Sequence, residues 1–365
     1  MELVNGTPLA ADLFVTELEE GRPRIGLLMA KATFRFDAGG GVELDRDDPY
    51  PVFRGDEEVE HGVLPGDLVT RNDPAFEVVV VGEAHAAGSE AVDSMYVTLA
   101  VGEEVRHLLV TGDRWWRIQL DTNGDVAPEA CTPTPPEPFR KMPLGWERAF
   151  GGTADILVDH EAPLEVAHRL NPMGRGFDPE PMGHQIGLAL EAPDGFPVVE
   201  RVRALPNVED PAHPVQQWED DPPPASWAPL PVGSPMVAQA AYPSGEDIDP
   251  EAALQVPPAM LHRAHPDWVI PLPERGARIF LRGLVPDAPE LSLALPDLRV
   301  LADYVVADRE GTAELRPHLM ALLPSERRFY ILYRYLFQFA FDPMTERAFK
   351  LRTERGWFED SRERS

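Results

Sequence analysis

Two short segments concentrate the residue types that recognise or rearrange chemical groups. The first reads Met142-Pro143-Leu144-Gly145-Trp146-Glu147-Arg148-Ala149-Phe150-Gly151-Gly152, and the second Asn171-Pro172-Met173-Gly174-Arg175-Gly176-Phe177. Each joins an arginine, an aromatic ring and closely spaced glycines in a stretch with no regular hydrophobic period. Glycine there permits a positive φ or the close approach of another segment. A planar guanidinium can then reach a carboxylate or several carbonyls at once. The preferred expectation is an internal clamp, in which Arg148 or Arg175 pairs with Glu147 or Asp210 and ties two long loops together. A phosphate-binding nest is the alternative, but it fits poorly with 62 acidic against 33 basic side chains and a net charge of −29. The fold-defining or partner-binding candidates are Trp146, Glu147, Arg148, Phe150, Gly151 and Gly152 in the first segment. In the second they are Asn171, Pro172, Gly174, Arg175, Gly176 and Phe177.

Other chemistry is thinly signalled. No Gly-x-Ser-x-Gly elbow, phosphate loop or His-Glu-x-x-His zinc helix occurs, so no catalytic residue, cofactor or metal is expected. His262 and His265 with Asp267 would share a helical face, but Pro257, Pro258 and Pro266 oppose a helix there. His85 and His107 read as outward-facing strand residues, solvated or hydrogen-bonded. Carboxylates are too abundant for any pair to stand out, and 56–60 reads as a solvated loop. The Trp115-Trp116 pair is expected to place one ring in the core and the other on a neighbouring segment. An alternative function follows from the same residues: a β-sandwich that binds or cleaves carbohydrate, with Glu147 as acid or base and Trp115 or Trp116 as platform.

The acidic balance opposes phosphate backbones and anionic lipid, so neither nucleic acid nor membrane is an expected partner. It is uneven: residues 321–365 hold 9 basic and 7 acidic groups. Cys131 is the single cysteine. It precedes a proline-rich connection and reads as a spectator thiol in a chain without disulfides. The first residues lack a basic start and an apolar run, and the longest apolar stretch, 329–341, is far short of the roughly 20 residues of a membrane helix. A cytoplasmic location is expected.

The elements that must position these residues are mostly strands. Residues 27–36 alternate, with Leu28, Ala30, Ala32, Phe34 and Phe36 on one face and Lys31, Thr33 and Arg35 on the other. Residues 76–86, 95–101, 105–111 and 115–120 follow, the last three joined by short turns that force antiparallel neighbours in a meander. From 125 to 275 prolines recur, and only 162–169 suggests a short helix. Strand patterns return at 277–285, 290–295, 315–323 and 329–341. The last has a wholly apolar odd-numbered face and is expected to pair with 315–323 through the Pro324-Ser325-Glu326 turn. The expected fold is mainly β: antiparallel sandwich- or barrel-like sheets with long Pro/Gly-rich loops and few short helices. Residues 1–350 form one composite domain (meander 10–122, loop-rich middle 125–275, C-terminal strands 276–345), ahead of a basic, frayed tail at 351–365.

Taken in order, these residues resemble the family called domain of unknown function 2169. The likeness runs through Ala30-Lys31-Ala32-Thr33-Phe34, Val80-Val81-Gly82-Glu83-Ala84-His85-Ala86 and Val110-Thr111-Gly112-Asp113-Arg114-Trp115. It continues in the two arginine–glycine segments and in Leu205-Pro206-Asn207-Val208-Glu209-Asp210-Pro211, covering about residues 10–345. The family's Gly-Thr-Tyr-Asp stretch and later aromatic-rich motif are replaced here within 240–267, so what that loop recognises differs in this member. The resemblance implies a cytoplasmic adaptor or chaperone that helps load a type VI secretion toxin effector onto a VgrG/PAAR spike component. It implies no enzymatic activity.

Overall fold

Alternating apolar side chains build the longest elements of the molecule, and prolines and glycines punctuate the rest. A computed structural model describes residues 2–15, 24–70, 73–119, 126–156, 164–178, 190–191, 197–241, 258–274, 276–306, 309–339 and 347–354. The principal strands are β1 (Glu2–Asn5), β2 (Ala10–Val15), β3 (Arg24–Phe36), β4 (Phe76–Val80), β5 (Ser94–Val101), β6 (Glu104–Thr111) and β7 (Trp115–Gln119). After the irregular middle come β8 (Arg278–Val285), β9 (Ala288–Ala294), β10 (Val300–Val306), β11 (Arg309–Leu323), β12 (Arg328–Phe339) and β13 (Arg347–Thr353). The protein is mainly β.

The largest sheet runs in the order β1-β13-β10-β11-β12-β3-β2, and its two end strands follow one another in the chain, so it curls into a nearly closed barrel. Most pairs are antiparallel, but β1 lies parallel to β13 and β4 parallel to β11. A second sheet orders Val208–Glu209, β6, β5, β8 and β9. One apolar cluster joins both sheets, with Phe34 stacked on Phe329 at 5.0 Å between ring centres. Smaller clusters surround Trp116 with Trp218, and Trp146 with Leu230 and Val237. Among the described residues no helix is long and apolar enough to cross a membrane.

Several expectations need correction. β5 and β6 pair antiparallel, but β7 leaves the meander and joins Pro197–Ala204 in another sheet. The exit lies at Gly112, where any Cβ would come within 1.9 Å of the Glu137 carbonyl oxygen, so the chain turns against residue 137 instead of closing a hairpin. The helix expected over 162–169 is absent where described: Leu164–Ala167 is a strand paired with Thr153–Ile156, a case of tertiary pairing overriding local propensity. The tail does not begin at 351, because Leu351–Thr353 pair with β10; residues 355–365 lie outside the described residues. β12 pairs with β11 through the expected turn, yet both of its faces are buried from Phe329 to Arg334. Residues 340 and 341 of that stretch are outside the described residues.

Candidate functional site

The two arginine–glycine segments meet and form a knot. Phe150–Gly151 pairs parallel with Arg175–Gly176. Gly151 and Gly152 adopt φ of 135° and 109°, and a Cβ on Gly151 would come within 2.1 Å of the Asn171 carbonyl oxygen. Only glycine lets the segments approach so closely. The buried Asn171 side chain fills the contact, its Nδ2 donating to the carbonyls of Trp146 and Phe150 at 2.9 Å each. The Asn171 N–H donates to His168 Nδ1, which places the ring proton on Nε2, facing Asp221. Burial holds the His168 pKa below the usual histidine value. Phe150 and Phe177 sandwich that ring edge-on.

The arginines converge on one carboxylate that the sequence reading did not choose. Arg148 Nη1 donates to Asp113 Oδ1 and to Asn207 Oδ1, both at 3.1 Å. Asn207 Nδ2 donates to Asp113 Oδ1 at 3.0 Å and to the Thr111 carbonyl at 2.9 Å. Arg175 Nη1 lies 3.6 Å from Asp113, while its Nε donates to the backbone carbonyl of Glu147 at 3.0 Å. A clamp is thus present, but its carboxylate is Asp113. Asp210 pairs instead with His213, and the Glu147 side chain is exposed. Burial, and then the neighbouring Arg148 guanidinium, hold the Arg175 pKa below the ordinary arginine value. A further pair, Arg114 with the buried Glu209, pins the 205–211 segment; burial raises the Glu209 pKa and Arg114 opposes that rise.

The remaining candidates are dispersed. Pro172 is exposed, and Trp146 is buried, with Nε1 donating to the Ala228 carbonyl and its ring stacked on His265. Trp116 is buried edge-on against Trp218, whereas Trp115 is half-buried. His262 lies near Asp73 and Glu77, while His265 Nδ1 accepts the Asp267 N–H. Among the described residues no cluster of three His, Cys, Asp or Glu side chains has a metal-binding arrangement. Both histidines are hydrogen-bonded as expected, His107 to Thr98 and His85 to Ser325, but His85 is buried and not outward-facing. Cys131 is buried, and burial raises its pKa.

A second polar cluster escaped the sequence reading. The face of β3 that carries Lys31 and Thr33 is covered by the segment through Tyr50, Phe53 and Asp67. Tyr50 N–H donates to Thr33 Oγ1, and Phe53 N–H to Asp67 Oδ2. Lys31 is 0% exposed, its Nζ 2.6 Å from Asp67 Oδ2 and 3.8 and 4.3 Å from the ring centres of Phe53 and Tyr330. Desolvation exceeds the attraction to Asp67 and pulls the Lys31 pKa down to about 8, and burial likewise raises that of Asp67. Nearby, Arg263 grips Asp56 through two 2.8 Å bonds, and the expected 56–60 loop is instead largely a strand, Glu57–Val59, paired antiparallel with Gly62–Leu64 just after that anchor. Glu77 on β4 accepts the N–H groups of Arg263 and Ala264. Two signals could have exposed this layer: Lys31 is one of only three lysines, and Arg334 is the one charged residue in the 329–341 stretch.

These features define a mainly β protein whose irregular segments are bound to its sheets by desolvated or shared polar groups. The chain belongs to the family described as an uncharacterized protein conserved in bacteria (DUF2169), whose model matches residues 20–334. No curated protein and no solved structure matches it.

Proposed function

We propose that the protein is a non-catalytic adaptor or chaperone of the cytoplasm. It binds a type VI secretion toxin effector, or a VgrG or PAAR spike component, and assists its loading. One observation carries this reading. Arg148 and Arg175 are both committed to Asp113, Arg148 also to the Asn207 side-chain oxygen and Arg175 to the Glu147 backbone carbonyl, so the most distinctive residues of the chain shape its loops. Rigid loops lose little entropy on docking, which favours a recognition surface. The carbohydrate reading has less support, since Trp116 is 2% exposed and unavailable as a platform. The test is affinity capture of the tagged chain from a type VI-competent bacterium. Recovery of an effector or spike protein, with loss of that effector's secretion on deletion, is expected. Recovery of neither, with secretion intact, overturns the proposal.

A further inference from the structure

The two arginine–glycine segments are tied through the turn at 168–171, and one histidine nitrogen holds that turn. The Asn171 carbonyl accepts the N–H groups of Gly152 at 2.8 Å and of Gly174 at 3.3 Å. Its side chain takes the Trp146 and Phe150 carbonyls, and the His168 N–H donates to the Gly152 carbonyl at 2.8 Å. Around these bonds Phe150–Gly151 pairs with Arg175–Gly176. The Asn171 N–H in turn ends on His168 Nδ1 at 3.1 Å, and both residues are buried.

That last bond exists in one protonation state alone. A neutral imidazole has one acceptor nitrogen, and in the cation both nitrogens are donors. A proton on Nδ1 would set two N–H groups against each other, with Phe150 and Phe177 packed on the ring at 5.4 and 5.1 Å. It would act by removing an acceptor, not by unbalancing an ion pair. Among the described residues, Asp221, 3.3 Å from Nε2, favours the cation and Arg169 opposes it. The other charges on the elements packed there are engaged or exposed. Arg148 and Arg175 are held by Asp113, Asp178 beside Phe177 is paired with Arg203, and Asp220 accepts the Gln216 and Gln217 N–H groups. Glu165 and Glu219 are exposed. The Asp221 side chain is itself 60% exposed, so water screens its attraction. Burial outweighs it and holds the His168 pKa below the usual histidine value.

We propose that His168 is a proton-operated latch. Neutral, it fastens the 171–177 segment onto 146–152; protonated, it releases the Asn171 N–H and the knot opens. The two large sheets are not part of the latch, since Leu99 and Leu332 belong to a separate apolar cluster. The protein thus has one loop arrangement at neutral pH and a looser one in mild acid. The direction follows from proton linkage. With the folded pKa below the open-chain value of 6.5, opening takes up a proton and becomes easier as pH falls below that value. Each pH unit there favours opening by up to about tenfold, until the ring titrates in the closed knot. The inference stands apart from the adaptor reading and concerns the loops alone.

The test is hydrogen exchange of the full chain, corrected for the intrinsic pH dependence of amide exchange. Between about pH 7.5 and about pH 5, the amides of Gly152, Asn171, Gly174 and Arg175 should open about tenfold more readily. Those of Leu99 and Leu332 should stay as protected as before. His168→Asn sets an amide oxygen in place of Nδ1 that takes up no proton, and should abolish the difference. Asp221→Asn removes the carboxylate that favours the cation and should move opening to lower pH. Nitrogen-15 spectra of the wild-type ring need no variant and decide the matter if His168→Asn does not fold. Nδ1 should be the bare nitrogen at neutral pH, and its protonation should coincide with the shift of the Asn171 amide. Knot amides equally protected at both pH values, equal loosening in His168→Asn, opening at higher pH in Asp221→Asn, or a proton on Nδ1 at neutral pH overturns the proposal.

Discussion

The arginine–glycine knot and the layer around Lys31 both hold irregular chain against strands with polar groups, but by opposite means. In the knot the charges remain partly wet, with the Arg148 and Arg175 side chains about a quarter exposed, and close backbone approach does the joining. In the layer, Lys31 and Asp67 are withdrawn from water, and one ion pair carries the contact. Exposed pairs contribute little net stability, whereas a buried pair is neutral when intact and severe when broken on one side. The knot should therefore be sensitive to shape, and the layer to charge balance.

Gly151→Ala tests shape most harshly, because the new Cβ would need the space of the Asn171 carbonyl at a φ of 135°. A loss of about 5 kcal/mol is expected in urea unfolding, the range of severe single-site effects. Lys31→Met should cost about 3–5 kcal/mol by stranding Asp67, whereas Lys31→Met with Asp67→Leu should recover most of it. Equal losses in the single and double variants would show that charge balance does not govern the layer.

The pH dependence comes next. Lys31 is held near 8 when folded against 10.5 in the open chain, so between those values the unfolded state binds the extra proton. Its contribution to stability should rise as pH climbs through that window, by up to about 3 kcal/mol, and be absent in Lys31→Met. Asn171→Ala removes two side-chain bonds and leaves two carbonyls unmet, for about 2–3 kcal/mol. The smallest effect belongs to Glu147→Gln. The hydrogen bond to the clamp comes from the Glu147 backbone carbonyl, and its exposed carboxylate adds only a minor attraction to Arg175, so the change should stay within about 0.5 kcal/mol.

The knot was legible because its members lie within two short segments whose composition is conspicuous. That the segments meet, with arginines and glycines as a clamp, follows from residue type; that Asp113 is the carboxylate does not. Asp113 sits 35 residues before Arg148 in sequence, in what reads as an ordinary turn. The layer was illegible for a different reason. Period-two alternation separates the faces of a strand but does not say that both will be covered, so nothing local tells a covered Lys31–Thr33 face from an open one. Asp56 and Arg263 are 207 residues apart, and nothing local couples them.

Alternation and turn chemistry determined by themselves that this chain is mainly β, that β5 pairs with β6, and that β12 returns on β11. Those outcomes depend on side-chain period and on the short reach of a tight turn, both local properties. Tertiary structure alone decided the withdrawal of the Lys31 face from water and the choice of Asp113. Each depends on which distant segment arrives at a surface, and desolvation acts only once that segment is in place.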